Sequence, residues 1–243
     1  MHLVLTGATG LVGASVLYSM LAQESISRIS ILSRRPVKMA EGHEKARVII
    51  HSDFKKYDQA LLDELQDAQG CVWALGVSQN AVGKEEYAEI THDYPLAFAR
   101  AMSARQPPPA TPFTFLYVSG EGATQAPSML TPLFGRVKGQ TETALLEYGK
   151  HHAMFRVYNV RPGFVDCTNH AEIHPFIPKQ VWYLRTLTPL INALCTNMMT
   201  PTRGMGRVMT ELAMSRGEPL AGNDVSMEGR LVPNAALRRI AGL

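Results

Sequence analysis

Cysteine is scarce in this 243-residue chain: Cys71, Cys167 and Cys195 make an odd count with no CxxC pair. That excludes a disulfide framework and points to a reducing compartment, hence to a cytoplasmic location. No apolar run approaches the ~18 residues that span a bilayer, so no integral membrane segment is expected. Clustered charge is missing too. Lys and Arg number 24 against 21 Asp and Glu, for a formal net charge of +3, and adjacent pairs such as Arg34-Arg35 and Arg238-Arg239 build no stripe. A nucleic-acid surface needs such a stripe, so that class of partner is set aside. No internal repeat is visible. With a strand predicted to start at His2, no signal or transit peptide is expected. What remains is an ordinary globular composition, 46% hydrophobic and 19% charged, long enough for one sizeable core.

Against those absences stands the run Leu3-Val4-Leu5-Thr6-Gly7-Ala8-Thr9-Gly10-Leu11-Val12-Gly13. A short apolar strand ends at Thr6, and three glycines spaced three apart follow it. Glycine lets backbone N–H groups come close to an anion, and a helix opening behind them points its positive dipole end at the same spot. The stretch from Gly7 through Thr9, Gly10, Leu11, Val12 and Gly13 therefore reads as a cradle for a nucleotide's phosphates.

Apolar strand-like runs then alternate with longer helical patterns. Strands are predicted over residues 3–6, 29–32, 48–51, 70–75, 113–118 and 156–160, and helices over 12–23, 58–65, 84–105 and 136–151. This alternation specifies an α/β fold, a doubly wound parallel sheet with right-handed crossovers, in a single domain over residues 1–243. The segment 106–112, rich in proline, reads as a stiff loop inside that domain. Residues 165–243 lose the alternation and are expected to form a small extension on the substrate side, by analogy with nucleotide-binding folds. The methionines 198, 199, 205 and 209 within it read as core or pocket wall.

Such a sheet places ligands at the carboxyl ends of its strands. After strand two, Ser33-Arg34-Arg35 stands where NAD-binding folds carry a carboxylate for the ribose 2′-hydroxyl. Two guanidiniums suit a 2′-phosphate instead, so NADP(H) is the expected cofactor; the alternative is a solvated pair in a turn. After strand three, Asp53 and Phe54 suit an adenine, or else Asp53 caps a helix. After strand four, Ala74-Leu75-Gly76 is a small-residue turn beside the cofactor path or a plain glycine turn. After strand five, Ser119 puts a hydroxyl where a substrate carbonyl can sit, unless it only forms a turn. After strand six, Pro162 and Gly163 form a rigid turn suited to closing over the nicotinamide end.

Together TGATGLVG at 6–13, LSRRP at 32–36, ALG at 74–76, VSGEGA at 118–123, VKGQTE at 137–142 and RPG at 161–163 resemble the short-chain dehydrogenase/reductase superfamily. The likeness is to its atypical branch, with the Tat-interacting oxidoreductase-like proteins and their fungal mitochondrial relatives; it implies a nicotinamide cofactor, a small-molecule substrate and, as a second location, mitochondrial association. It covers about the first two-thirds of the chain. In that family a Tyr-x-x-x-Lys motif carries the chemistry, the lysine also holding the nicotinamide ribose, and a serine orients the carbonyl. Lys138 matches the lysine and Ser119 the serine, with Gly120 a competing alignment. Four residues before Lys138 stands Phe134. A benzene ring donates no proton, and general acid–base assistance is worth ~10²–10⁴-fold, so the resemblance implies a substitute donor, with Tyr87, Tyr94, Tyr117, Glu121 or a water as candidates.

His170 and His174 have the i, i+4 spacing of a zinc pair, but Glu172 is misplaced for HExxH and Pro175 disturbs the helix, so no metal site is expected. Three function classes stay open: an NADP(H)-dependent oxidoreductase on a small carbonyl or enone, a non-catalytic NADP(H)-binding sensor or scaffold, and a lyase or isomerase on the same fold. Self-association into a homo-oligomer stays open as well.

Overall fold

The computed structural model describes residues 1–105, 111–178 and 196–243. Most of the proline-rich loop, residues 106–110, and Cys195 lie outside the described residues. Seven strands form one parallel sheet: β1 (His2–Thr6), β2 (Arg28–Ser33), β3 (Ala46–Ile50), β4 (Gly70–Trp73), β5 (Phe113–Val118), β6 (Phe155–Val160) and β9 (Leu231–Val232). Their spatial order is β3-β2-β1-β4-β5-β6-β9, reversing direction of travel between β1 and β4. Ligands in a doubly wound sheet bind at that crevice. A separate two-stranded parallel ribbon pairs β7 (Phe164–Asp166) with β8 (Met199–Pro201).

Two hydrophobic layers sandwich the main sheet, and side-chain alternation along each strand feeds both. Leu3 and Leu5 join the layer beneath α1 (Leu11–Ala22), while Val4 joins the opposite layer. The second layer is aromatic: Trp73, Phe98, Phe113, Phe115 and Phe155 stack and tilt against one another. It lies under α2 (Gln59–Glu64), α4 (Tyr94–Ser103) and α5 (Leu133–His151), and Asp58 caps α2 through its side chain, which accepts from Leu61 N–H at 2.8 Å.

The tail beyond residue 165 does more than extend the substrate side. Helix α6 (Thr202–Met214) packs along α1 and against β4 and β5, burying Met205, Val208, Met209 and Leu212. It is the crossover that brings β9 back parallel to β6, followed by α7 (Asn234–Ala241). Met199, Met205 and Met209 are core residues, whereas Met198 is 51% exposed.

The helix predicted over 84–105 is three pieces: α3 (Lys84–Ala88), a π-turn over Glu89–Asp93 and α4. Pro95 explains the break. It has no N–H to give the carbonyl four residues back, that of Thr91. The Thr91 carbonyl instead accepts from the hydroxyls of Tyr117 at 3.1 Å and Thr141 at 3.2 Å.

Candidate functional site

A cavity of about 910 Å³ opens at the carboxyl ends of β1, β4, β5 and β6. Its floor is the glycine turn. Gly7 adopts φ +71°, where any side chain is strained, and the Gly10 N–H donates to the Gly7 carbonyl at 2.9 Å. A Cβ on Gly13 would overlap that same Gly7 carbonyl oxygen, so the helix start and the turn lie against each other because neither residue has a side chain. No side chain caps α1, which leaves the leading N–H groups at Leu11, Val12 and Gly13 to an incoming anion.

Five stretches predicted from the sequence converge on this cavity. Gly10, Leu11, Val12 and Gly13 meet Ala74, Leu75 and Gly76 from the end of β4. Ser119 arrives from β5, Lys138 from the second turn of α5, and Pro162 with Gly163 from the turn after β6. The β5 loop is held to that last turn: Ser119 N–H donates to the Val160 carbonyl at 2.8 Å and Glu121 N–H to the Pro162 carbonyl at 2.9 Å. Ser119 is 3% exposed, and its hydroxyl has no hydrogen-bond partner among the described residues. The half-buried Lys138 ammonium donates to the Ser119 carbonyl at 2.7 Å and the Val118 carbonyl at 3.3 Å. Burial pushes its pKa down to about 8, against the opposing pull of the Glu142 carboxylate.

Other expected residues lie elsewhere. Arg34 and Arg35 sit exposed past the end of β2, outside the cavity lining, and neither guanidinium has an ion-pair partner among the described residues. Ser33 turns inward, its hydroxyl accepting from Arg35 N–H at 3.3 Å. Asp53 closes a tight turn by accepting from Lys55 N–H at 3.0 Å, and the cap of α2 belongs to Asp58. The Phe54 ring does not reach the cavity. It is 1% exposed, edge-on to Trp73 and stacked on Tyr94, because an apolar ring gains more in the aromatic layer than at the sheet edge. Phe134 is half-buried, its ring turned to Gly122 and its N–H donating to the Gln79 side chain at 2.9 Å.

The cavity has further walls that the sequence does not announce. Asn234, at the start of α7, gives its N–H to Glu121 at 2.7 Å, and its side chain ties Thr200 and the Asn197 carbonyl together. Thr200 in turn accepts from the Gly163 N–H at 2.8 Å. Asn234 lies 113 positions from Glu121, and Asn197, Thr200 and Asn234 belong to none of the motifs quoted above. Thr91 had a legible signal, the proline four residues later. His170 and His174 hold separate partners, Thr202 and the Cys167 carbonyl, and among the described residues no cluster of three potential metal ligands occurs.

A parallel, doubly wound sheet with a glycine turn at its switch point defines the Rossmann class of α/β proteins. No protein-family model matches the chain. Among curated proteins it is 32% identical to leucinostatins biosynthesis cluster protein T of Purpureocillium lilacinum, over 98% of this chain and 94% of that protein. Botcinic acid biosynthesis cluster B protein 16 of Botryotinia fuckeliana is 37% identical over 61% of this chain and 98% of its own length. The mitochondrial protein fmp52 of Emericella nidulans is 28% identical over 68% of this chain and 66% of its own length. Among solved structures, a short-chain dehydrogenase/reductase family oxidoreductase from Burkholderia thailandensis superposes with TM-score 0.66 at 15% identity, over 97% of this chain and 92% of that one. The Bordetella bronchiseptica enzyme WbmF in complex with NAD+ gives 0.67 at 14%, over 99% and 78%. The chain belongs to the same family as leucinostatins biosynthesis cluster protein T, and its fold is that of these solved Rossmann structures. No helix among the described residues is long and apolar enough to cross a membrane.

Proposed function

We propose that this protein is an NADP(H)-dependent oxidoreductase acting on a small carbonyl or enone compound. The observation that carries this reading is the buried, unpartnered Ser119 hydroxyl in the cavity wall beside Lys138. A buried hydroxyl left without a partner is costly, and a ligand oxygen satisfies it. The cavity suits a dinucleotide: a turn that side chains would fill, a helix start for the pyrophosphate, and room of about 910 Å³. Bound NADPH would supply a hydride to the substrate carbon. Leu11, Val12 and Gly13 hold the phosphates, and Pro162 with Gly163 the nicotinamide end. Ser119 orients the carbonyl oxygen, and Leu75, Val77, Val165 and Met198 give the substrate's body an apolar wall. Scarce cysteine supports a cytoplasmic location, with mitochondrial association, as in the names of the FMP52 relatives, the alternative.

Ser119→Ala should lower kcat about 10²–10³-fold toward 4-nitrobenzaldehyde while NADPH binding is retained, since one preaimed donor to the carbonyl oxygen is gone. Unchanged turnover would remove Ser119 from the site.

The 2′-phosphate is assigned to Arg34 and Arg35, the unpaired guanidiniums past β2. Calorimetry should show the parent binding NADPH more tightly than NADH. An Arg34→Ala, Arg35→Ala double variant should lose about 10- to 150-fold in NADPH affinity and little in NADH affinity, the worth of a charge-assisted bond. Equal affinities in the parent contradict the assignment.

Phe134 supports a second reading, a non-catalytic NADP(H)-binding sensor or scaffold. It expects tight NADPH binding without NADPH oxidation across a panel of aldehydes, ketones and enones, and steady turnover of any of them excludes it.

A further inference from the structure

Reducing a carbonyl needs a proton for its oxygen, and among the described residues Tyr117 is the one phenol in the cavity lining. Its hydroxyl is given to the Thr91 carbonyl and burial pushes its pKa up. Tyr87 is 1% exposed and likewise raised by burial. Tyr94 donates to Glu89 at 3.1 Å, outside the cavity lining. Glu121 accepts the N–H at the head of α7. Phe134 has no acidic proton at all.

We propose that the Lys138 ammonium itself delivers the proton to the substrate oxygen. This inference rests on the oxidoreductase reading above. Two of the three ammonium N–H groups are taken, by the Ser119 and Val118 carbonyls, which leaves one for the cavity that Lys138 lines. The substrate carbon gains a hydride from the reduced nicotinamide cofactor, which is oxidised by two electrons. The C=O π pair moves onto oxygen, the N–H bond of Lys138 breaks and an O–H bond forms. The neutral amine that results has two N–H groups, matching the two carbonyls that hold it, and it regains its proton from water.

The surroundings of Lys138 suit an acid. Glu142, one turn further along α5, is bound through both oxygens by Arg161, at 2.8 and 2.5 Å, and so is not a contact ion for the ammonium. Glu121 on the β5 loop is engaged with α7, and Tyr117 on β5 with Thr91. Lys138 therefore faces neutral carbonyls in a desolvated wall, with an acidity of about 8 that matches proton donation near neutral pH.

Two measurements test this. NMR titration of lysine-labelled protein, with Lys138 assigned from its missing signal in Lys138→Arg, should show it titrating near pH 8; titration near 10.5 overturns the proposal. With NADPH and 4-nitrobenzaldehyde, kcat should be level below about pH 8 and fall tenfold per unit above it. Lys138→Arg, a cation that does not deprotonate, should still bind NADPH by fluorescence but lose about 10²–10⁴-fold in kcat together with that limb. Wild-type turnover whose limb survives in Lys138→Arg overturns the proposal. So does an inactive wild type beside an active Phe134→Tyr, because a phenol is then required. If NADPH binds and neither protein turns over, the oxidoreductase reading itself falls.

Discussion

Glu142→Ala is expected to destabilise the protein by about 3–5 kcal/mol in urea or thermal denaturation, the cost of stripping one partner from a buried ion pair. Glu142 is fully buried and Arg161 is 16% exposed, so solvent screens the pair little. Both carboxylate oxygens are bound to the guanidinium, and the Asn159 amide holds the Glu142 carbonyl at 3.2 Å. Removing the carboxylate leaves Arg161 charged, desolvated and without its partner. The change also reaches the site. Glu142 is the group that raises the Lys138 pKa against burial, so its loss should depress that lysine further, readable in the same NMR titration. Glu142→Gln should cost less, because one acceptor oxygen survives. A loss below about 1 kcal/mol for the alanine variant would mean that water reaches Arg161 and that the pair is an ordinary surface one.

Gly13→Ala is expected to abolish measurable NADPH binding while most of the fold survives. The added methyl would overlap the Gly7 carbonyl, and neither backbone can yield easily: Gly7 is itself pressed against the end of β4, where a Cβ would strike Ala74. Either the turn or the start of α1 must shift. The overpacking should cost about 1–3 kcal/mol of stability. A charge-assisted bond from a backbone N–H to phosphate is worth ~1.5–3 kcal/mol, so breaking two of them weakens NADPH about 10²–10⁴-fold. Fluorescence titration and a melting curve on one sample separate the effects. Near-parental NADPH affinity in a folded variant would refute the glycine turn as the phosphate cradle.

Most of the sheet and half of the cavity are legible in the chain. Strand apolarity and the spacing of Gly7, Gly10 and Gly13 are local properties, and each strand end marks a segment that the fold brings to one edge. The place of Phe54 is not legible, because a strand-end position says where a residue leaves the sheet and nothing of which layer its ring joins. The break at 89–93 is readable in Pro95, although the apolar pattern on either side runs through it. The tail is opaque for a different reason. The stripe Met205, Val208, Met209 and Leu212 makes α6 amphipathic by itself, but which layer it covers is set by α1 and the sheet, and β9 is two residues long, too short to register as a period.

The sequence by itself determined the parallel α/β fold, the glycine turn, the guanidinium pair after β2 and the absence of a tyrosine before Lys138, since each is carried by neighbouring residues. Tertiary structure alone decided that the Ser119 hydroxyl is buried without a partner, that Arg161 occupies Glu142, and that Lys138 is left facing two carbonyls. Those facts depend on groups from β5, α5 and the turn after β6 meeting in a place with little water, and desolvation is a property of the assembled site that no single segment encodes.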